Sequence, residues 1–219
     1  MRFMGLVTAI ATIGALPPSS RQAAVVPGPA WGQAIGGLRI GIATVNDRTI
    51  PSADTQFDVA LENNGAADFV LNLGYMLANG KVMFPSAIRL VLTDPSGKTR
   101  ELEYFDRKYP GIAGRVDDFT VGLRVGSVHA IRATMDHYWS PATNEYGVKL
   151  TNGRYRIVAR FQGEGPRSHN LDMPGVALLN FWKGTVESNP LEFVIAVPTR
   201  TDPMSSVSWR TRDSPASFQ

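Results

Sequence analysis

The chain has 219 residues, with 22 basic and 19 acidic side chains, three histidines and no cysteine. Its formal charge of +3 falls to +1 (20 minus 19) once Arg2 and Arg21 of the first 34 residues are set aside, which removes any electrostatic basis for nucleic-acid binding. Without disulfides the fold must be held by a buried core, and the roughly 185 residues after position 34 are enough to build one.

Arg2 precedes an uncharged apolar run from Met4 to Leu16. A bilayer core needs about 20 such residues, so this stretch reads as an export signal and the mature chain is expected to carry no transmembrane helix. Gly32-Gln33-Ala34 offers small residues for a cut after position 34, and a cut after Ala24 is the alternative. No cysteine follows the run, so a lipid anchor is not expected. The expected division is a leader over residues 1–34, one domain over 35–197 and a flexible tail over 198–219.

From residue 38 onward the pattern is that of strands. Leu38, Ile40 and Ile42 alternate with Arg39, Gly41 and Ala43, and Phe57, Val59 and Leu61 with Asp58, Ala60 and Glu62. Asn63-Asn64-Gly65 reads as a turn of residues that tolerate positive φ. A third run spans Asp68 to Leu77, and Asn79-Gly80 suggests a two-residue hairpin turn into a strand from Lys81 to Phe84. Ile88, Leu90 and Leu92 lead into Asp94-Pro95-Ser96-Gly97, whose proline and glycine suit a type I turn before a strand from Thr99 to Phe105. Phe119, Val121, Leu123 and Val125 continue the alternation, followed by Val128 to Met135, Tyr155 to Phe161, and a last strand on Leu191, Phe193, Ile195 and Val197. Residues 106–118, 136–147 and 163–175 break the rhythm and read as long end loops, the places where function tends to sit. Met76, Met83, Met135 and Met173 read as gap-filling apolar side chains. Eight to ten short strands with turns between them specify an all-β chain, a single antiparallel sandwich.

The segment Leu150-Thr-Asn-Gly153-Arg-Tyr155 resembles the Leu-x-x-Gly-x-Tyr corner of immunoglobulin-like and fibronectin type III-like sandwiches. Trp182-x-Gly184-x-Val186-x-Ser188-Asn189-x-Leu191-x-Phe193-x-Ile195 resembles the closing strand pair of exported bacterial immunoglobulin-like domains. The resemblance implies an immunoglobulin-like sandwich in which the Tyr155 hydroxyl bonds back to nearby backbone and Trp182 anchors the core. It transfers no catalytic or binding residue, and the inter-sheet cysteine pair of antibody domains is missing.

Chemistry-bearing residues are few. The chain has no Gly-x-Ser-x-Gly elbow, no His-Glu-x-x-His and no phosphate loop, since Pro166 spoils Gly163-x-Gly165. His129 sits in a strand pattern. Asp136 and His137 could meet His169 and Asp172 around zinc only if two long loops converge, and Asp117-Asp118 could offer oxygen to calcium. Neither set has a specific spacing, so no metal or cofactor is expected and the protein reads as non-enzymatic. Tyr138 and Trp139 are the candidate contact residues, because exposed aromatic rings with a polar handle suit protein partners and sugars alike. Arg154, Arg156 and Arg160 share one strand face and are expected to pair with acids such as Asp58, Glu62, Glu101 or Glu103 across strands. The function expected from the sequence is an exported, periplasmic or extracellular module that binds an envelope or extracellular protein, or alternatively a glycan.

Overall fold

The computed structural model describes residues 28–45, 49–50, 55–77, 80, 82–105, 115–167, 175 and 178–196. The chain runs through β1 (Ala30–Trp31), β2 (Leu38–Thr44), β3 (Thr49–Ile50), β4 (Gln56–Asn63), β5 (Phe69–Leu77), β6 (Val82–Phe84), β7 (Ile88–Thr93) and β8 (Thr99–Tyr104). It continues through β9 (Val116–Leu123), β10 (Val128–Thr134), β11 (Tyr138–Ser140), β12 (Glu145–Tyr146), β13 (Gly153–Gly163), β14 (Gly184–Glu187) and β15 (Leu191–Ile195). A 3-10 turn, Met135–His137, joins β10 to β11.

The alternation that marks the strands also sorts them into layers. One sheet has the order β1-β2-β4-β10, and the other runs β12-β11-β8-β7-β13-β15-β3 with β14 also paired to β13. Leu38, Ile40, Ile42, Phe57, Val59 and Leu61 of the first face Leu90, Leu92, Leu102, Ile157, Phe161 and Phe193 of the second in one core. Phe57 meets Phe193 edge-on across the gap, with centroids 5.1 Å apart. The fold is thus the expected all-β antiparallel sandwich, with β3 lying parallel to β15. A third small sheet, β6-β5-β9, is stitched to the second by Val70, which accepts from the Trp182 N–H at 2.9 Å and donates to the Asn180 carbonyl at 2.8 Å.

Strand β13 is the spine, because each half of its outer edge has a different neighbour. Gly153 to Ile157 pair with β15, and Arg160 to Gly163 pair with β14. At the junction Ser188 fills in: its Oγ accepts from the Ala159 N–H at 2.9 Å and its own N–H donates to the Ala159 carbonyl at 2.9 Å. The serine before the last strand therefore completes a ladder that would otherwise leave buried donors and acceptors unpaired. At the start of β13 the Tyr155 hydroxyl accepts from the Thr151 N–H at 3.0 Å and donates to the Thr151 carbonyl at 3.1 Å. That is the corner bonding expected for it.

Several expectations need correction. The domain does not begin at residue 35. β1 pairs with β2, Arg39 lies 4.7 Å over the Trp31 ring, and a Cβ on Gly32 would sit 1.7 Å from the Glu187 carbonyl oxygen, so residues 30–32 are packed into the sandwich. Residues 136–147 are not one loop either, since a 3-10 turn and the β11–β12 hairpin within them extend the second sheet. The strand through Phe119 ends at Leu123, leaving Val125 exposed, and Met83 is half exposed rather than filling a gap. Leu77 of β5 pairs directly with Val82 of β6. The proline turn holds as read: the Gly97 N–H donates to the Asp94 carbonyl at 2.9 Å. Residues 1–27 and 197–219, most of the 106–118 and 163–175 segments, Met173 and Asn79 lie outside the described residues.

His129, on β10, has a buried Nε2 with no hydrogen-bond partner, and burial lowers its pKa below the ordinary 6.5. A neutral imidazole in the fold and a protonatable one in the unfolded chain mean that the unfolded state binds more protons in acid. Stability contributed by this site is full above about 6.5 and erodes as the pH falls from there toward the folded value. Urea melts at pH 7.5 and pH 5 should show a larger loss for the native chain than for His129→Leu. Equal losses would mean that His129 does not titrate between the two states.

Candidate functional site

The outer face of the second sheet carries an ordered row of side chains. In antiparallel pairs, residues directly opposite each other point to the same face, so register reveals what lies side by side. Tyr146 of β12 pairs with Trp139 of β11, which pairs with Glu103 of β8. Glu103 reaches Arg89 of β7 at 3.5 Å; Arg89 lies opposite Arg160 of β13, and Arg160 opposite Glu187 of β14. Six neighbouring strands thus each contribute one side chain to a line perpendicular to the chain direction. Five interstrand steps make it about 24 Å long.

One end of the row is aromatic. Trp139 and Tyr146 are nearly parallel, 12° between planes and 5.3 Å between centroids, and Phe105 leans on both at 6.3 Å and 5.1 Å. All three are partly exposed. The cluster is held from beneath by backbone, since the Phe105 N–H donates to the His137 carbonyl at 2.6 Å and the Gly147 N–H to the Tyr138 carbonyl at 3.0 Å.

The remainder is a ladder of compensated charge. Arg89 and Arg160 face each other as like charges, and Glu101 separates them, one carboxylate oxygen 2.8 Å from Arg89 and the other 3.1 Å from Arg160. Arg160 also meets Glu187 at 2.6 Å. The Glu101 hydrogen bond is the main reason that the Arg89 guanidinium pKa is raised further, so its charge is fixed. These groups are one-third to one-half exposed, a solvated ladder and not a buried network.

Two open clefts lie elsewhere. One of about 620 Å³ beside the tyrosine corner has Asp136, Lys149, Thr151 and Asn152 on its walls. The other, about 410 Å³ between β5 and β9, is flanked by Arg124, Asn180 and Asp68, whose carboxylate already accepts from the Val125 N–H at 2.9 Å. Among the described residues no three His, Asp or Glu side chains are placed to hold a metal ion. His137 has its ring 5.9 Å from that of Tyr104, while His169 and Asp172 lie outside the described residues. Asp117 is bound by Arg115 at 2.9 Å and Asp118 accepts from Asn72 and from the Arg167 N–H, so each acid of that pair is engaged by its neighbours.

No protein-family model matches the chain, and neither curated proteins nor solved structures give a match.

Of the two residues expected to contact a ligand, the structure places only Trp139 at the surface. Tyr138 is 1% exposed, packed edge-on to Tyr104 at 5.5 Å, and burial drives its hydroxyl pKa upward. Neighbours on a strand point to opposite faces, so Tyr138 and Trp139 could never have shared one surface. Tyr146 and Phe105 take its place, the first set beside Trp139 by the β11–β12 register and the second by the bond from its N–H to the His137 carbonyl. The expected arginine pairs are also redistributed. Arg160 does find Glu101, and Arg154 meets Glu192 at 3.5 Å, but Asp58 and Glu62 belong to the other sheet and pair with Arg132 and Arg39.

Proposed function

We infer that this chain is an exported, non-enzymatic binding module whose contact surface is the outer face of the eight-stranded sheet. The observation that carries the reading is the partly exposed Phe105, Trp139 and Tyr146 cluster at one end of an in-register polar row. Aromatic side chains bring contact area at low entropic cost, and a rigid sheet holds them without loop ordering. Strand order supports immunoglobulin-like kinship: β2-β4-β10 covers β8-β7-β13-β15, with β3 parallel to β15. The apolar run from Met4 to Leu16 supports delivery to the periplasm or exterior, where an envelope or extracellular partner would be met. No helix among the described residues is long and apolar enough to cross a membrane.

Of the two cleavage positions, the one after Ala24 is favoured, because a cut after Ala34 would remove β1 from the sandwich. The binding reading is tested by capture from envelope extract on immobilised native protein and on Trp139→Ala/Tyr146→Ala. The expected result is a captured partner retained by the native chain and lost, tenfold or more, by the variant, while circular dichroism shows both folded. Equal capture by both, or none by either at low and high salt, would end the proposal.

A further inference from the structure

The row from Tyr146 to Glu187 also constrains what binds, given that this face is the contact surface. We propose that it takes a neutral, extended glycan lying across the strands, one sugar ring against Trp139 and Tyr146 and the following hydroxyls on Glu103, Arg89, Arg160 and Glu187.

Three features select that ligand. Shape comes first: the row is one residue wide and about 24 Å long, a track for a linear polymer and not a pocket for a single small molecule. Charge comes second. Arg89 and Arg160 against Glu101, Glu103 and Glu187 sum to −1 (two minus three), and the pairs at 2.6 to 3.1 Å satisfy one another. Arg154, Arg156 and Glu192 on the same face bring the balance to zero, so an anionic polymer would find no net attraction here. A hydroxyl needs none, because a guanidinium has five N–H donors and a carboxylate about four acceptor sites, so paired groups keep capacity for further hydrogen bonds. Third is the aromatic end: Trp139 is stacked on Tyr146 and so held rigid, leaving its side away from Tyr146 to meet the C–H face of a sugar while the ladder beside it stays wet.

A polypeptide fits less well. An extended peptide joins a sheet at an edge strand through backbone bonds, whereas this row lies on a face whose backbone groups are already used within the sheet. A folded protein would have to dehydrate Arg89, Glu101, Arg160 and Glu187 together, which is costly for ion pairs.

The experiment is calorimetric titration of the purified chain with cellohexaose, xylohexaose, chitohexaose and maltohexaose, their disaccharides, and an oligogalacturonate as the anionic control. At least one neutral hexasaccharide should bind with a submillimolar Kd, more tightly than its disaccharide. Trp139→Ala should weaken it at least tenfold, Trp139→Phe less, and Glu103→Gln several-fold, each variant keeping the native melting curve within a few degrees. Absence of binding by every neutral hexasaccharide at millimolar concentration, binding unchanged by Trp139→Ala, or preference for the oligogalacturonate would overturn the proposal. If no glycan binds but Trp139→Ala/Tyr146→Ala abolishes capture from extract, the glycan assignment falls and the binding module stands. If the variants alter neither, both fall.

Discussion

Trp182→Ala is expected to lower the unfolding free energy by about 3–5 kcal/mol, whereas Trp139→Ala should cost no more than about 1.5 kcal/mol. The two indoles have opposite surroundings. Trp182 is 6% exposed, its ring lies against Phe161 at 5.7 Å, and its Nε1–H donates to the Ile35 and Gly36 carbonyls at 3.2 and 3.1 Å. It occupies space that only glycine leaves free, since a Cβ on Gly163 would fall 2.5 Å from the ring. Truncation therefore opens a cavity where β13 and β14 meet the start of β2, and takes the indole donor from the Gly36 carbonyl, while Ile35 keeps the Leu38 N–H at 3.0 Å. Collapse into the cavity is hindered because its walls are three different strands. Trp182→Phe should lie between, keeping part of the packing and losing the donor. A domain of this size has about 5–15 kcal/mol to lose, so urea unfolding followed by circular dichroism will resolve the difference. A shift below about 1 kcal/mol for Trp182→Ala would show that the ring is not the anchor its contacts indicate.

Trp182 was readable from sequence because the motif around it repeats a local pattern: aromatic, glycine, then alternating apolar positions leading to a serine before the last strand. The same holds for Tyr155, whose bonds close within four residues. The contact surface was not readable in the same way. It is a line across β12, β11, β8, β7, β13 and β14, and neighbours along that line lie up to 71 positions apart in sequence, as with Arg89 and Arg160. Alternation says which face each residue takes, and applied strictly it would have separated Tyr138 from Trp139. It says nothing of which strands pair, or in what register, and register is what sets Tyr146 beside Trp139, with Phe105 leaning on both. The β11–β12 hairpin was missed for a related reason, because strands of three and two residues are too short to show a period.

Asn63→Leu should destabilise the domain by about 3 kcal/mol or more, and Asn63→Asp should do so in a way that pH partly reverses. By sequence Asn63 opens an Asn-Asn-Gly turn, a place where tolerance of positive φ is the usual reason for asparagine. Yet Asn144 is the only described residue other than glycine with positive φ. The side chain of Asn63 is what matters: it is fully buried, its Nδ2 donates to the Ala67 and Leu123 carbonyls at 2.9 and 3.0 Å, and its Oδ1 accepts from the Gly65 N–H at 2.9 Å. Its backbone bonds Ser127 and Gly126 at 3.1 and 2.8 Å. One residue thus ties the end of β4 to the end of β9 and to the turn entering β10, in two different sheets. Leucine matches the volume but strands two carbonyls and one N–H, each costing about 1–3 kcal/mol where water cannot reach it. Aspartate keeps the acceptor and sets a second oxygen against two carbonyls, so the folded state favours the protonated acid and raises its pKa above the unfolded value near 3.9. A raised folded pKa gives stability that is full below the unfolded value and lost as the pH rises through the folded one. Asn63→Asp should therefore be weakest at pH 7 and regain stability relative to Asn63→Leu on acidification toward pH 4, measured as the difference between their urea midpoints. A constant difference across that range would show that water, and not the side chain at position 63, satisfies the Ala67 and Leu123 carbonyls.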